Sequence, residues 1–516
     1  MLDKELVEQL KPHFAKIESK IGFAVRASVH DKQAELREML DAMAALSENL
    51  SVEVSSVAAD VPTFELQKDG VSTGVIFAGI PGGHEFTSLV LAVLNADGKG
   101  KLPDESVRRR VGALARPATL RTFVSLSCTN CPDVVQGLNQ LAFMSDKVSH
   151  VFVDGELVPD EVKRLGIQGV PAVFEGDVLL HVGKADISEL LDVLESHVGI
   201  VEDTALVTES ERFDVAVLGG GPAGVAAAVY SARKGLNTAL VAKRIGGQVN
   251  DTLGIENLIS VPYTEGANLS AALDEHLTQY PVTRFLHRNI TEVTDGEEKR
   301  VHLQGGEVVR AKQLIVATGA AWRHLGVPGE NEYLGRGVAF CPHCDGPFFK
   351  GKAVAVIGGG NSGVEAAIDL AGICSAVTVV EFTDELKADT VLIDRLKTLS
   401  NVKVVTGART TAIQGNGEKV TGLEWVDRST DETHAETLDG VFVQIGLVPN
   451  SDMLRGVVAL NRFGEVEVDS HGRTSVEGIY AAGDVTTVPF KQIVISMGDG
   501  AKASLAAFED QMRKVS

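Results

Sequence analysis

The sequence predicts an α/β chain: two similar strand–helix units, then two βαβ units that each turn at a glycine-rich loop. Three observations predict it. Gly219-Gly220-Gly221-Pro222-Ala223-Gly224 and Gly358-Gly359-Gly360-Asn361-Ser362-Gly363 each follow an apolar run and open an Ala-rich helical stretch. The first 200 residues repeat one order of strands and helices. The composition has 53 Gly but only 5% aromatic residues, which suits an α/β chain with many tight turns. At 516 residues the chain has room for about three or four domains.

The first unit opens with a helix over residues 1 to about 20, apolar at Leu6, Leu10 and Phe14. A strand over 23–27, a helix over 33–46, strands over 51–57 and 74–77, and a helix over 87–94 follow. In the second unit a strand over 122–124 leads to Cys128-Thr129-Asn130-Cys131-Pro132, which opens a helix through Val134 and Leu138. A strand over 148–153, a short helix over 161–165, strands over 172–174 and 178–181, and a helix over 187–196 complete it. His30 and Asp31 occupy the turn of the first unit that carries the cysteines in the second. Residues 199–211 are polar and acidic (Glu202, Asp203, Glu209, Glu211) and read as a linker.

Beyond it, strand 214–218, the first glycine turn, helix 223–234 and strand 238–241 make one βαβ unit. Strand 353–357, the second turn, helix 363–371 and strand 377–381 make another. Leu314-Ile315-Val316-Ala317-Thr318-Gly319 reads as a buried strand ending in a small-residue turn, and residues 478–481 as a strand ending near Asp484.

The strand–turn–helix context makes each glycine motif a dinucleotide site rather than a structural turn. The first Gly permits the turn, the second lets backbone approach a diphosphate, and the third lets helix and strand pack closely. Unsatisfied N–H groups at the helix start then favour the diphosphate. The candidates are Gly219, Gly221, Pro222, Ala223 and Gly224 in the first turn, and Gly358, Gly360, Asn361, Ser362 and Gly363 in the second. Glu381 ends the strand after the second turn. A carboxylate there accepts from both ribose hydroxyls of NADH and repels a 2′-phosphate; no Arg cluster follows in Phe382-Thr383-Asp384. The first turn is followed by Ala242, Lys243 and Arg244, with no acid for a ribose. Asp484 suits the sugar-like chain of a flavin, or a helix cap. Lys491-Gln492-Ile493 and the helix from 498 are positioned to close over the flavin ring.

The second Cys-x-x-Cys is Cys341-Pro342-His343-Cys344, followed by Asp345. At a helix start such a pair has a lowered thiol pKa and exchanges disulfides. The alternative is one Cys₄ zinc site. Cys131 and Cys341 stand far apart in sequence and each pair sits in its own complete unit, so the redox reading leads and no metal is expected. Cys374 reads as a small buried hydrophobe. A net charge of −22 argues against nucleic acid as a partner. No apolar run approaches the ~20 residues that span a membrane, and the acidic start Met1-Leu2-Asp3-Lys4-Glu5 precedes no signal core, so the expected compartment is the cytoplasm.

Over essentially its whole length the chain resembles the flavoprotein (F) subunits of bacterial alkyl hydroperoxide reductases. The resemblance rests on Ser127-Cys128-Thr129-Asn130-Cys131-Pro132-Asp133, Gly169-Val170-Pro171-Ala172-Val173-Phe174, Ser231-Ala232-Arg233-Lys234-Gly235, Gly246-Gly247-Gln248, Cys341-Pro342-His343-Cys344-Asp345-Gly346, the run 358–365 and Ala482-Gly483-Asp484. From Arg212 onward it is also similar to low-molecular-weight thioredoxin reductases.

The resemblance implies tandem thioredoxin-like units followed by the FAD and NAD domains of a flavoprotein disulfide reductase. The divisions would fall at 1–105, 106–198, 199–211 (linker), 212–327 (FAD), 328–449 (NAD, inserted) and 450–516 (FAD). It implies a homodimer with one FAD per chain. Electrons pass from NADH to FAD, to Cys341–Cys344, to Cys128–Cys131 and to the disulfide of a separate peroxiredoxin. Cys344 would face the flavin, Cys341 attack outward, Asp345 move a proton, and Cys128 be the exposed nucleophile. FAD binding extends to Gln248, Asn257, Thr318, Gly319, Gly483 and Gln492. The bond before Pro171 would be cis. The NAD domain would swing about hinges near 326–329 and 446–450. The first unit lacks cysteines, and His84-Glu85 would either tune the second unit's dithiol or form a polar surface turn. A thioredoxin or glutaredoxin reductase, a hydrogen-peroxide-forming NADH oxidase and a redox sensor without turnover are the competing functions.

Overall fold

The computed structural model describes residues 4–515 except 101, 129, 168, 202–207, 253 and 341. The chain divides into two compact units, residues 1–206 and 207–516.

In the first unit, α1 (Lys4–Phe14), β1 (Ile21–Ala27), α2 (Gln33–Ala44), β2 (Leu50–Ala58), β3 (Thr63–Lys68), β4 (Val71–Ala78) and α3 (Phe86–Asp97) form one half. A connecting helix, α4 (Glu105–Gly112), leads to β5 (Ala118–Val124), α5 (Cys131–Met144), β6 (Val148–Asp154), α6 (Pro159–Arg164), β7 (Ala172–Glu175), β8 (Val178–Val182) and α7 (Ile187–Val198). The sequence reading missed β3 and α4. β3 reads Thr-Phe-Glu-Leu-Gln-Lys, too polar to stand out, yet it lies inside the sheet between β1 and β4.

The sequence predicted two similar units of about 100 residues, and the two halves share one sheet. All eight strands form one sheet, ordered β2-β1-β3-β4-β6-β5-β7-β8. Each half has the same pairing senses: first strand parallel to second, antiparallel to third, third antiparallel to fourth. The halves join where β4 pairs in parallel with β6, Val75 opposite His150 through Ala78 opposite Val153. Beneath the seam runs a row of buried rings, Phe23–Phe64–Phe77–Phe152, with centroids 5.9, 5.1 and 5.4 Å apart. One hydrophobic core therefore serves both halves.

The second unit begins with β9 (Thr208–Leu218), α8 (Pro222–Arg233), β10 (Thr238–Ala242), α9 (Gly266–Thr278), β11 (Val282–Leu286), β12 (Ile290–Thr294), β13 (Lys299–Leu303) and β14 (Glu307–Val316). These strands make a sheet ordered β11-β10-β9-β14-β13-β12. Next come β15 (Ala320–Trp322), β16 (Val338–Ala339), α10 (Pro342–Asp345), β17 (Ala353–Ile357), α11 (Asn361–Ala371), β18 (Ala376–Val380), α12 (Thr390–Lys397) and β19 (Val402–Val405). Then follow β20 (Ala408–Gly415), β21 (Val420–Asp427), β22 (Thr433–Thr437), β23 (Gly440–Val443), β24 (Leu447–Pro449), β25 (Ile479–Ala481) and α13 (Ile493–Val515).

β16-β23-β17-β18-β19 is a parallel sheet, and β20-β21-β22 an antiparallel one beside it. Both are inserted between strands of the first sheet, because β25 returns to pair with β14. The insertion is entered and left through the antiparallel ribbon β15–β24, Ala320 opposite Pro449.

The predicted linker is much shorter than 199–211. Ile200 bridges Leu114 and Val201 N–H donates to Ala113 O at 2.8 Å, so 199–201 belong to the first unit. Residues 208–211 belong to β9, where Thr208 stands opposite Glu307. The rest, 202–207, lies outside the described residues. No helix among the described residues is long and apolar enough to cross a membrane.

Candidate active site

The two glycine turns share one geometry. Gly219 and Gly358 have φ of +115° and +119°, and a Cβ on either would fall 2.1 Å from Ala317 O or 2.4 Å from Gln444 O. Gly224 and Gly363 lie so close to Gly219 O and Gly358 O that a Cβ would come within 1.9 Å. Gly221 and Gly360, the N-caps of α8 and α11, face open space instead. Two glycines of each motif are thus required by the chain's own packing, and the third keeps clear the approach to a helix N-terminus where a diphosphate fits.

Around the first turn, Pro222 is the first helical residue, and Gly500 on α13 would put a Cβ 2.0 Å from Ala223 O. Gly483, at φ +72°, lies beside Ala223 and Ser496. Ser496 Oγ donates to Asp484 Oδ1 at 3.0 Å, and burial pushes the Asp484 carboxyl up. Asn257 Nδ2 donates to Gln492 Oε1 at 3.1 Å, so two residues far apart in sequence meet. Thr318 Oγ1 donates to Asn450 O at 2.6 Å, and Asn450 N–H to Gly319 O at 2.9 Å, which ties this turn to the end of β24. Gln248 is exposed on the turn after Gly247. Lys243 is exposed too, and its carbonyl accepts His287 N–H at 3.0 Å. Ser496 escaped the sequence reading because it acts through Asp484 on another element, and Asn450 entered that reading only as the end of a hinge segment. The open N-terminus of α8 fits the diphosphate of FAD.

The second turn borders a cleft of about 530 Å³ that includes Gly358, Gly360, Asn361, Ser362, Glu381 and Gln444. Glu381 Oε2 accepts Gly359 N–H; Oε1 accepts Thr383 N–H at 2.8 Å and Thr383 Oγ1 at 2.7 Å. The carboxylate therefore holds the turn as well as facing the cleft. Asn361 pairs with Asp389 through Nδ2 to Oδ2 at 3.0 Å and Asp389 N–H to Oδ1 at 2.8 Å, so its backbone remains its means of meeting a nucleotide.

Cys341 lies outside the described residues, and Cys344 is described for its backbone alone, in α10. Asp345 closes that short helix. The preceding Phe340 is gripped from three sides. Trp322 stacks on it at 5.7 Å, His324 meets it edge-on at 5.1 Å, and Gln444 Nε2 donates to its carbonyl at 2.6 Å.

The N-terminal dithiol sits at the start of α5. Cys131 is fully buried and Cys128 partly exposed; both are free thiols. Cys131 N–H donates to Cys128 Sγ at 3.2 Å, and Cys128 Sγ reaches Val170 O at 3.8 Å. The hydrogen bond to Cys128, and then burial, push the Cys131 thiol far up, so it stays protonated. The Val170–Pro171 bond is cis.

Glu85, at the end of a 3-10 turn before α3, is fully buried beside this pair. Burial pushes its carboxyl up to about 7; Ser88 opposes, and the neighbouring Cys128 and Asp133 add to the rise. Neither carboxyl oxygen makes a sound hydrogen bond among the described residues. The half without cysteines thus supplies an acid to the half with them. Among the described residues no three His, Cys, Asp or Glu side chains converge as metal ligands.

Residues 213–500 match the family described as pyridine nucleotide-disulphide oxidoreductase. Of the relatives named as F subunits of alkyl hydroperoxide reductase, that of Pseudomonas putida is 50% identical to the chain, covering 99% of each. The chain is 45% identical to a Bacillus subtilis (strain 168) protein named NADH dehydrogenase, covering 99% of this chain and all of that one. Among solved structures, thioredoxin reductase from Streptococcus pyogenes MGAS5005 matches with a TM-score of 0.56 and 35% identity over 58% of this chain and 99% of that one. That neighbour spans little more than half of the chain, whereas the alkyl hydroperoxide reductase relatives match it end to end; the chain belongs with the alkyl hydroperoxide reductase F subunits, a family of pyridine nucleotide-disulphide oxidoreductases.

Proposed function

We propose that this chain is an NADH-dependent flavoprotein disulfide reductase whose outlet is the Cys128–Cys131 dithiol and whose acceptor is a peroxiredoxin. The observation that carries the reading is the end-to-end match to the alkyl hydroperoxide reductase relatives, whereas the thioredoxin reductase match covers 58% of the chain.

FAD, when bound, supplies a two-electron carrier that NADH reduces and a disulfide oxidises. Gly219, Gly221 and Gly224 with the start of α8 hold its diphosphate, and Asp484 with Gln248, Asn257, Thr318, Gly319, Gly483 and Gln492 surround the remainder. The cleft at Gly358–Glu381 takes NADH. On the family reading, Cys344 would take electrons from the flavin, Cys341 would pass them outward, and Asp345 would move a proton between these steps.

At the outlet, Cys128 as thiolate attacks the partner's disulfide. One S–S bond breaks, a mixed disulfide forms and one partner thiolate leaves. Cys131 gives its proton to Glu85 and attacks Cys128, releasing the second partner thiolate and closing Cys128–Cys131. Two electrons have then passed. The Cys341–Cys344 dithiol restores Cys128–Cys131 by the same exchange.

The repeated pairing senses of the two N-terminal halves support tandem thioredoxin-like folds. The ribbon β15–β24 is the natural pivot for a swing of the NAD domain, with Gly326–Gly329 and Gly446–Asn450 at its ends. A cytoplasmic homodimer completes the proposal.

The test is NADH-driven reduction of an aromatic disulfide by the native protein and by Cys128→Ser. Activity collapses in the variant while flavin reduction by NADH survives. Full activity in the variant would make Cys341 the outlet and put a thioredoxin-reductase-like function first.

A further inference from the structure

The sequence reading rests the preference for NADH on the Glu381 carboxylate and on the lack of an Arg cluster in the residues that follow it. The folded cleft differs: its lining includes Lys387 and Arg409 as well as Glu381. Lys387 folds back on the glycine turn, its N–H donating to Gly359 O at 2.8 Å. Its amine pairs with Glu385 at 2.8 Å, an exposed pair of little worth that a better anion would displace. Arg409 comes from β20. The preceding residue, Ala408, donates its N–H to Glu381 O at 3.0 Å, which brings β20 against the end of β18. Arg409 is exposed, and its guanidinium has no hydrogen bond or ion pair among the described residues. Arg428 fastens another wall of the cleft. It lies 4.1 Å over the Phe382 ring and donates to Phe382 O at 2.9 Å, so it is committed to structure.

We infer that the cleft contains a built 2′-phosphate subsite, flanked by Arg409 and Lys387, which the charge of Glu381 alone closes to NADPH. A guanidinium is suited to bidentate phosphate recognition and a lysine ammonium to point-charge attraction. The Glu381 carboxylate stands at the same rim, fixed by three donors, so the exclusion is repulsion at one carboxylate rather than absence of cations. The inference rests on the nucleotide reading of this cleft and adds the residues that decide selectivity within it.

The experiment measures binding of NAD⁺ and NADP⁺ to the oxidised holoenzyme by calorimetry, since neither reduces the flavin. Native protein favours NAD⁺. Glu381→Gln, which removes the charge and keeps the shape, raises the NADP⁺/NAD⁺ affinity ratio about tenfold or more, as loss of ~1.4 kcal/mol of repulsion requires. Adding Arg409→Gln to that variant returns most of the gain, and the gain shrinks as salt rises. Arg409→Gln in the otherwise native chain lowers the ratio further, which tests the subsite even if Glu381→Gln disturbs the turn. An unchanged ratio in Glu381→Gln that still binds NAD⁺, or a gain that survives neutralising both Arg409 and Lys387, overturns the inference. Native protein that binds neither nucleotide overturns the reading of the cleft itself.

Discussion

Two buried titratable side chains of the N-terminal unit pull its stability in opposite directions with pH. Glu85 is held at about 7 against an ordinary 4.5, so the fold favours its protonated form. Its stabilising protonation is complete at acid pH and is lost as pH rises from 4.5 through 7, worth up to roughly 3 kcal/mol. His150 lies in the centre of the sheet, with Nε2 2.8 Å from Thr122 Oγ1 and Nδ1 2.7 Å from Asn139 Oδ1. Burial lowers it to about 3, so it stays neutral and the fold loses stability as pH falls from 6.5 toward 3. Hydrogen exchange of residues 1–206 in the intact chain, followed against pH, separates the two. Glu85→Gln removes the alkaline loss and leaves the acid one; His150→Gln flattens the acid limb. Glu85→Gln also slows closure of Cys128–Cys131 at neutral pH, because Cys131 loses its proton acceptor. Glu85 and the dithiol lie on different elements of the sequence, so the pattern suggested a tuning role without deciding it against a surface turn. Burial in the shared core settled which environment the carboxyl meets.

At the scale of elements, the strand–glycine–helix turns were legible before folding because each is a local constraint. Their glycines nevertheless do different work, and this predicts two distinct phenotypes. Gly224→Ala drives a methyl against Gly219 O and disrupts the turn, so the protein loses stability with or without flavin. Gly221→Ala places its Cβ in open space, so the apoprotein keeps its circular dichroism and melting temperature while FAD retention falls about tenfold, because the methyl stands where the diphosphate approaches. Equal destabilisation of the apoprotein by both changes would refute the distinction. Among the elements the sequence reading missed, β3 and α4 lack such local marks. β3 is a strand because β1 and β4 satisfy its backbone on both sides, and α4 is held by its Asp104 cap and by Arg110, which reaches Asp192 at 2.7 Å and Glu195 at 2.9 Å on α7.

For the whole molecule, the continuous sheet and ring row make the cysteine-free half part of the redox half's core. Phe77→Ala, in the former, removes a ring that touches both Phe64 and Phe152. The loss of about 3–5 kcal/mol falls on both halves together, so amide protection in α5 drops along with that in β4. Loss of protection confined to residues before 105 would restore the picture of two independent units.

The sequence by itself determined the two strand–glycine–helix turns, the two Cys-x-x-Cys motifs and the family, because each is written in short runs whose chemistry needs only near neighbours. Only the tertiary structure decided that the N-terminal halves share a sheet, that Glu85 faces Cys128, that β9 absorbs most of the linker's far end, and that Arg409 and Lys387 stand in the cleft of Glu381. These depend on which strand edges pair and which surfaces are buried together. Such choices are made by backbone hydrogen bonding and apolar burial between segments far apart in the chain, and they leave no periodic mark in any one of them.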